Sequence, residues 1–214
     1  MGTWTKRFLI FVGTFVGVNI AWRIAARWLS LPCPPWLGWL LENPYVNAVA
    51  SAETVLDRVG LENGMRLLDV GCGPGRLTVP AARQVLPAGE VVAVDIQTSM
   101  LAQAKQRVQE AGLHNVRFLH AGLGQGRLEE DRFDRALLVT VLGEIPDQET
   151  ALSEIWRALK PGGVLSITEV FPDPHYQPRD KVGELASKVG FQHQATYGNW
   201  LAFTMNFIIP VTTQ

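Results

Sequence analysis

The chain has 214 residues, a formal net charge of −1 and only 18% charged residues. That balance provides no basic field for nucleic acid, and the length suits one domain with an extension. Two cysteines, Cys33 and Cys72, are too few for a disulfide framework; no Cys/His cluster has metal-ligand spacing, so no metal is expected.

The first 42 residues read as a hydrophobic anchor or interfacial segment and 43–214 as the globular domain. Phe8 to Trp22 carries no charge, with Lys6 and Arg7 before it and Arg23 and Arg27 after it. A helix of that length reaches only ~22 Å, short of a ~30 Å hydrocarbon core. The apolar character resumes to Leu31, so a span from Phe8 to Leu31 would require both arginines to snorkel. Trp28, Trp36 and Trp39 suit the headgroup region. A signal peptide and a soluble packed helix are the competing readings, and the flanking basic residues are balanced, so they give no orientation.

Asn43 followed by Pro44 predicts a helix start, with a helix to Val59 closed by Gly60. Residues 65–70 predict a first strand, Arg76 to Leu86 a helix and 90–94 a second strand. A helix runs from Thr98 or Ser99 to Ala111, stopped by Gly112. Val116 to His120 and Arg135 to Thr140 are the third and fourth strands, the latter apolar enough to be covered on both faces. Asp147 caps a helix with Ala151, Leu152, Ile155, Trp156 and Leu159 on one side. Val164 to Val170 is a fifth strand, Lys181 to Val189 a helix, and 191–196 and 201–209 two last strands. Strand–helix alternation predicts a parallel, doubly wound α/β sheet, and the two adjacent last strands predict an antiparallel hairpin at one edge.

The richest stretch is Leu67-Leu68-Asp69-Val70-Gly71-Cys72-Gly73-Pro74-Gly75-Arg76. An apolar strand ends at an acid and opens into a loop of alternate glycines, which lets main chain approach a ligand. A second apolar strand ends at Asp95, placed to accept both ribose hydroxyls of a nucleoside. A dinucleotide fold uses G-x-G-x-x-G and a helix N-terminus for its pyrophosphate; here the spacing is G-x-G-x-G. Asp69, at the end of the first strand, would repel a pyrophosphate but hold a cationic end. This favours S-adenosylmethionine, which carries an amino group and a sulfonium and no phosphate.

Four features stand in order: the 67–75 segment, Asp95 about twenty residues on, Phe133-Asp134 at the start of the fourth strand, and Leu159-Lys160-Pro161-Gly162-Gly163. Together they resemble the class I S-adenosylmethionine-dependent methyltransferases. Within that class the chain is similar to small methyltransferase-domain proteins related to the quinone-biosynthesis C-methyltransferases. The resemblance implies a Rossmann-like, seven-stranded, mostly parallel sheet with an antiparallel edge hairpin and helices on both faces. It also implies S-adenosylmethionine as methyl donor and S-adenosylhomocysteine as product. The cofactor residues it points to are Asp69, Gly71, Cys72, Gly73, Gly75, Asp95, Ile96, Met100, Gly122, Leu123 and Thr140. Asp69 would take the amino group and Asp95 the ribose; Ile96 and Met100 would pack on the adenine, although Met100 is equally placed for the core. Cys72 reads better as a small buried residue than as a reactive thiol.

The sequence departs from the family pattern twice. Gly122 stands where an acid commonly meets the adenine amino group, leaving a backbone amide at Leu123 for that edge. Gly143 stands where relatives often carry His, and Glu144 is then the nearest base. His120, His175, Tyr176, His193 and Tyr197 are further polar groups, each more at home as structural or exposed side chains.

Gly143-Glu144-Ile145-Pro146 is not the Asn/Asp-Pro-Pro-aromatic run of nucleic-acid amino methylation, so no nucleic-acid substrate is expected. A small, lipophilic or membrane-associated acceptor is: a lipid headgroup, quinone precursor, thiol or phenol. The domain would face the cytoplasm, where the donor is made, with membrane association through the N-terminal segment. Binding of the nucleoside without methyl transfer is the alternative that the two departures leave open.

Overall fold

In a computed structural model of the chain, residues 50–171 and 173–211 are described. The anchor expected over 1–42 and the Asn43 cap lie outside the described residues. Among the described residues no helix is long and apolar enough to cross a membrane.

Helix α1 spans Ala52–Val59, and Ser51 accepts the Thr54 N–H at 3.0 Å and caps it. Gly60, in a left-handed conformation, closes it as expected. Then follow β1 (Arg66–Val70), α2 (Thr78–Gln84), β2 (Glu90–Asp95), α3 (Thr98–Glu110), β3 (Val116–His120) and β4 (Phe133–Val139). A single 3-10 turn, Leu142–Glu144, leads to α4 (Gln148–Ala158), β5 (Leu159–Val170), α5 (Arg179–Val189), β6 (Gln192–Gly198) and β7 (Ala202–Ile208). Asp147 caps α4 as predicted, accepting the Thr150 N–H at 3.0 Å. Helix α2 is shorter than expected, and Pro80 sits at its third position, where no intrahelical donor is lost.

The seven strands order as β3-β2-β1-β4-β5-β7-β6. The first five are parallel, and β7 runs antiparallel to both β5 and β6. The expected mostly parallel sheet with an edge hairpin is therefore present. Alternation along the strands splits the core in two. Leu68, Val70, Val92 and Val94 pack with Ile155 of α4 and Val182 of α5 on one face. Leu67, Val91 and Leu137 pack with Val55 of α1 and Ala81 of α2 on the other. Phe133, Phe203 and Phe207 are fully buried, each contributing roughly 2–3 kcal/mol by leaving water.

Strand β5 begins five residues earlier than the apolar run predicts, because Leu159 pairs with Phe133 before a bulge. This brings two of the four sequence features together. Asp134 Oδ1 accepts from Lys160 Nζ at 2.6 Å, while its Oδ2 accepts the Arg66 N–H at 2.8 Å. Both features thus tie β1, β4 and β5 at the amino end of the sheet, opposite the loops that carry the site.

Candidate cofactor and active site

Strand order reverses between β1 and β4, so the loops after them part and open a crevice at their carboxyl ends. A cavity of about 460 Å³ lies there. Its wall includes Gly71, Gly73, Asp95, Ile96, Met100, Gly122, Leu123 and Thr140 from the sequence expectation, and adds Gln97, Gln125, Glu144, Ile145 and Asp173. A narrow annex of about 40 Å³ adjoins it behind Gly71 and Thr140, lined also by Asp69, Cys72 and Arg76.

The three glycines of the loop do different things. Gly71 has φ +64°, and a Cβ on it would drive into the Val141 side chain, so the main chain must pass bare against the β4 loop. Gly73 has φ +53° and faces open space, so the cavity floor there is main chain. Gly75 lies outside the lining of both cavity and annex, and its Cα packs on α3, with Ala104 3.1 Å from where a Cβ would be. Cys72 borders the annex but is not a reactive thiol there. Its side chain is buried with Ala93 and Ala104, and burial first, then the nearby Asp69 and Asp95 charges, push its thiol pKa well up, which makes it unreactive.

Asp95 is 8% exposed and grips both loops. Its Oδ2 accepts the Gly73 N–H at 2.9 Å and its Oδ1 the Gln97 N–H at 2.8 Å. Burial raises its pKa, and these main-chain donors pull it back. Each oxygen keeps a lone pair for a hydroxyl donor. Asp69 is 2% exposed and accepts from Thr78 Oγ1 at 2.6 Å. Burial lifts its carboxyl to about 6, against the Thr78 hydroxyl and the Arg76 charge, with Asp95 adding to the rise. Asp69 and Arg76 make the annex a place for a group bearing both charges; Arg76 went unassigned in the sequence because it reads as the first residue of a helix. Arg76 also donates to the Ala50 carbonyl at 2.8 Å.

Thr140 joins cavity and annex with φ +57°. Its N–H donates to the Thr168 carbonyl at 2.8 Å and its hydroxyl to the Val139 carbonyl at 2.7 Å. Ile96 is 53% exposed toward the cavity, whereas Met100 is 3% exposed, so Met100 serves wall and core at once.

The other polar groups weighed in the sequence lie elsewhere. His120 Nε2 binds the Ile96 carbonyl at 2.9 Å and so ties β3 to the end of β2. Tyr176 donates to the Trp200 carbonyl at 2.7 Å. His193 contacts Thr196 on the edge strand, and Tyr197 lies under Arg58. His175 is buried, and its main chain presses on Gly143. None of the five lines the cavity.

The residues present fit S-adenosylmethionine: bare main chain at Gly73, a carboxylate for ribose, apolar walls for a base, and an acid–arginine annex for an amino-acid end. Residues 61–197 match the family described as "Methyltransferase domain", and the chain belongs to that family, whose methyl donor is S-adenosylmethionine. Among relatives, it is 36% identical over 110 residues to demethylmenaquinone methyltransferase of Geobacillus stearothermophilus, covering 51% of this chain and 47% of that one. It is 34% identical over 127 residues to a ubiquinone/menaquinone biosynthesis C-methyltransferase of Erwinia tasmaniensis, covering 59% of this chain and 50% of that one. The chain thus spans about half the length of the curated relatives it matches. A solved SAM-dependent methyltransferase from Aquifex aeolicus superposes with a TM-score of 0.76 at 25% identity, covering 83% of this chain and all of that one.

Proposed function

We propose that this chain transfers a methyl group from S-adenosylmethionine to a small lipophilic acceptor of the quinone-precursor kind. The observation that carries the reading is a cavity with Asp95 in its wall, an adjoining acid–arginine annex behind Gly71, and Val139, Val141, Ile145 and Pro146 in its apolar lining. The names of the quinone-methylating relatives support the acceptor class. Bound S-adenosylmethionine supplies an electrophilic methyl carbon on a positive sulfonium. Asp69 and Arg76 hold the charged amino-acid end and Asp95 the ribose hydroxyls. Thr140 and Val141 set the wall along which the acceptor approaches. Holding the reactants in line, away from water, supplies much of the acceleration. Glu144 lines the acceptor side and is the residue to take a proton from a phenol or carbon acid. The apolar segment 1–42 would bring the domain to a membrane surface on its cytoplasmic side, where a lipophilic acceptor is concentrated.

A second reading, nucleoside binding without transfer, is favoured by one observation. The His175 carbonyl occupies the space beside Gly143, so no imidazole base can be carried there. Methyl-labelled S-adenosylmethionine, the full-length protein and a total membrane extract separate the two readings, with Asp95→Ala as control. Label in the organic fraction that disappears with the variant supports the proposal. Label confined to the aqueous or protein fraction would refute the lipophilic acceptor. Donor binding without label in any fraction would favour the second reading.

A further inference from the structure

Gly122 carries no side chain to meet a nucleobase, but its space is not empty. The Gln125 side chain folds back over it: the Gly122 N–H donates to Gln125 Oε1 at 3.3 Å, and Nε2 lies 3.0 Å from where a Gly122 Cβ would be. The carboxamide thereby fills a place in the cavity wall next to Ile96 and Leu123.

The loop around it is fixed from below. Glu154 of α4 is 3% exposed. Its carboxylate accepts the N–H groups of Gly124, Arg127 (2.6 Å) and Leu128 (3.0 Å), on both sides of Gln125. Gly124 has φ +83°, with Thr150 Cγ2 3.2 Å from where its Cβ would be, so the turn is pinned to α4 as well. A buried carboxylate gathering three main-chain donors is a strong, geometrically defined clamp. It gives an exposed glutamine a definite place.

Resting on the cofactor reading above, we infer that Gln125 reads the polar edge of the nucleobase and that Glu154 is the positioning residue that presents it. A ribose on Asp95 at the end of β2 carries its base toward the neighbouring end of β3. There the wall includes Ile96, Gln97, Met100, Ala121 and Leu123, and the Gln125 carboxamide stands beside them over Gly122. A carboxamide offers both a carbonyl acceptor and an NH₂ donor. By turning its amide it can accept from a 6-amino group or donate to a 6-oxo group. A carboxylate at the same place would only accept, and would repel a 6-oxo base.

The test measures affinity for S-adenosylhomocysteine and for its deaminated analogue, S-inosylhomocysteine, by calorimetry on the full chain. The wild type should discriminate between them by less than about tenfold, because one amide serves both edges. Gln125→Ala should weaken S-adenosylhomocysteine by about 5- to 10-fold, the worth of one hydrogen bond. Gln125→Glu should restore that affinity and raise discrimination against the 6-oxo base at least about tenfold. Glu154→Gln should shift affinity in the direction of Gln125→Ala, and the double variant should lose little more than the larger single loss. Since Gln125 is exposed, its variants should keep the wild-type thermal midpoint. Unchanged affinity in Gln125→Ala, with unchanged discrimination in Gln125→Glu, overturns the inference; if Asp95→Ala still abolishes binding, the cofactor reading stands without it. Failure of the wild type to bind S-adenosylhomocysteine overturns both.

Discussion

The main-chain carbonyl of His175 occupies the space that a Cβ on Gly143 would need, and Gln177 Nε2 lies 2.6 Å from the same point. Two segments more than thirty residues apart are locked there. Gln177 Nε2 donates to that carbonyl at 2.8 Å, and the Gln177 N–H donates to the buried Glu169 at 3.2 Å. Gly143→Ala should therefore force 173–177 off the 3-10 turn. Overpacking of this kind costs about 1–3 kcal/mol, or roughly 2–4 °C of thermal midpoint per kcal/mol in a domain of this size. Methyl transfer should fall more than S-adenosylhomocysteine affinity, because the contact borders Glu144, the residue proposed to face the acceptor. Gly143→His should behave the same way and not act as a restored base. A wild-type midpoint in both variants would show that the segment yields freely and would remove the lock.

Asp95→Asn separates charge from shape. The carboxylate takes main-chain donors from Gly73 and Gln97 on its two oxygens. An amide keeps one acceptor and turns a donor toward the other N–H. Loss of charge-assisted bonds to two hydroxyls, about 1.5–3 kcal/mol each, should weaken S-adenosylhomocysteine by roughly 100-fold or more. Calorimetry reads this directly. An affinity within about threefold of wild type would place the ribose elsewhere.

Much of this fold is legible in the chain because the β1 and β2 runs are apolar, end in acids and are joined by a glycine loop. The third glycine and Cys72 are harder to read from sequence for a physical reason: loop and helix packing need small residues as much as a ligand does, and Gly75 and Cys72 both meet Ala104. Phe133-Asp134 and Leu159-Lys160, two of the features that carry the resemblance, form a structural tie at the end of the sheet opposite the cavity. Gln125 and the 173–177 lock were out of reach, since each depends on a polar turn meeting a distant helix or loop. The β5 start was missed because Lys160-Pro161-Gly162-Gly163 has loop composition, and only pairing with β4 draws Leu159 into the strand.

Thr140 has a β-branched side chain at φ +57°, a conformation that costs about 1–3 kcal/mol. Its main chain stays there because its N–H bonds Thr168 of β5 while Val139 and Val141 pack on either side. Thr140→Gly should relieve that strain. After glycine's extra chain entropy of about 0.5–1 kcal/mol, a net stabilisation of about 1 kcal/mol should remain in urea unfolding. Turnover should drop, since the wall between cavity and annex is then less firmly set. A destabilised Thr140→Gly with intact turnover would show that the hydroxyl bond to Val139 outweighs the strain.

Asp69 predicts a pH dependence of opposite sign for stability and for binding. Its folded pKa of about 6 exceeds the ordinary 3.8, chiefly through burial. The folded state therefore holds this proton more tightly than the unfolded one. The stability this contributes is complete below 3.8 and is lost as pH rises through about 6. Above that, the buried charge costs on the order of 3 kcal/mol. Asp69→Asn should accordingly be more stable than wild type at pH 8 and no more stable at pH 4. Binding runs the other way. A ligand ammonium needs the ionised carboxylate, so donor affinity should be flat above pH 7 and fall below about 6, by up to about tenfold per pH unit. Asp69→Asn should bind more weakly at pH 8 and lose this slope. Wild-type affinity that stays constant from pH 5 to 8, measured where the protein is fully folded, would mean that Asp69 does not face a charged ligand end and serves only to anchor Thr78.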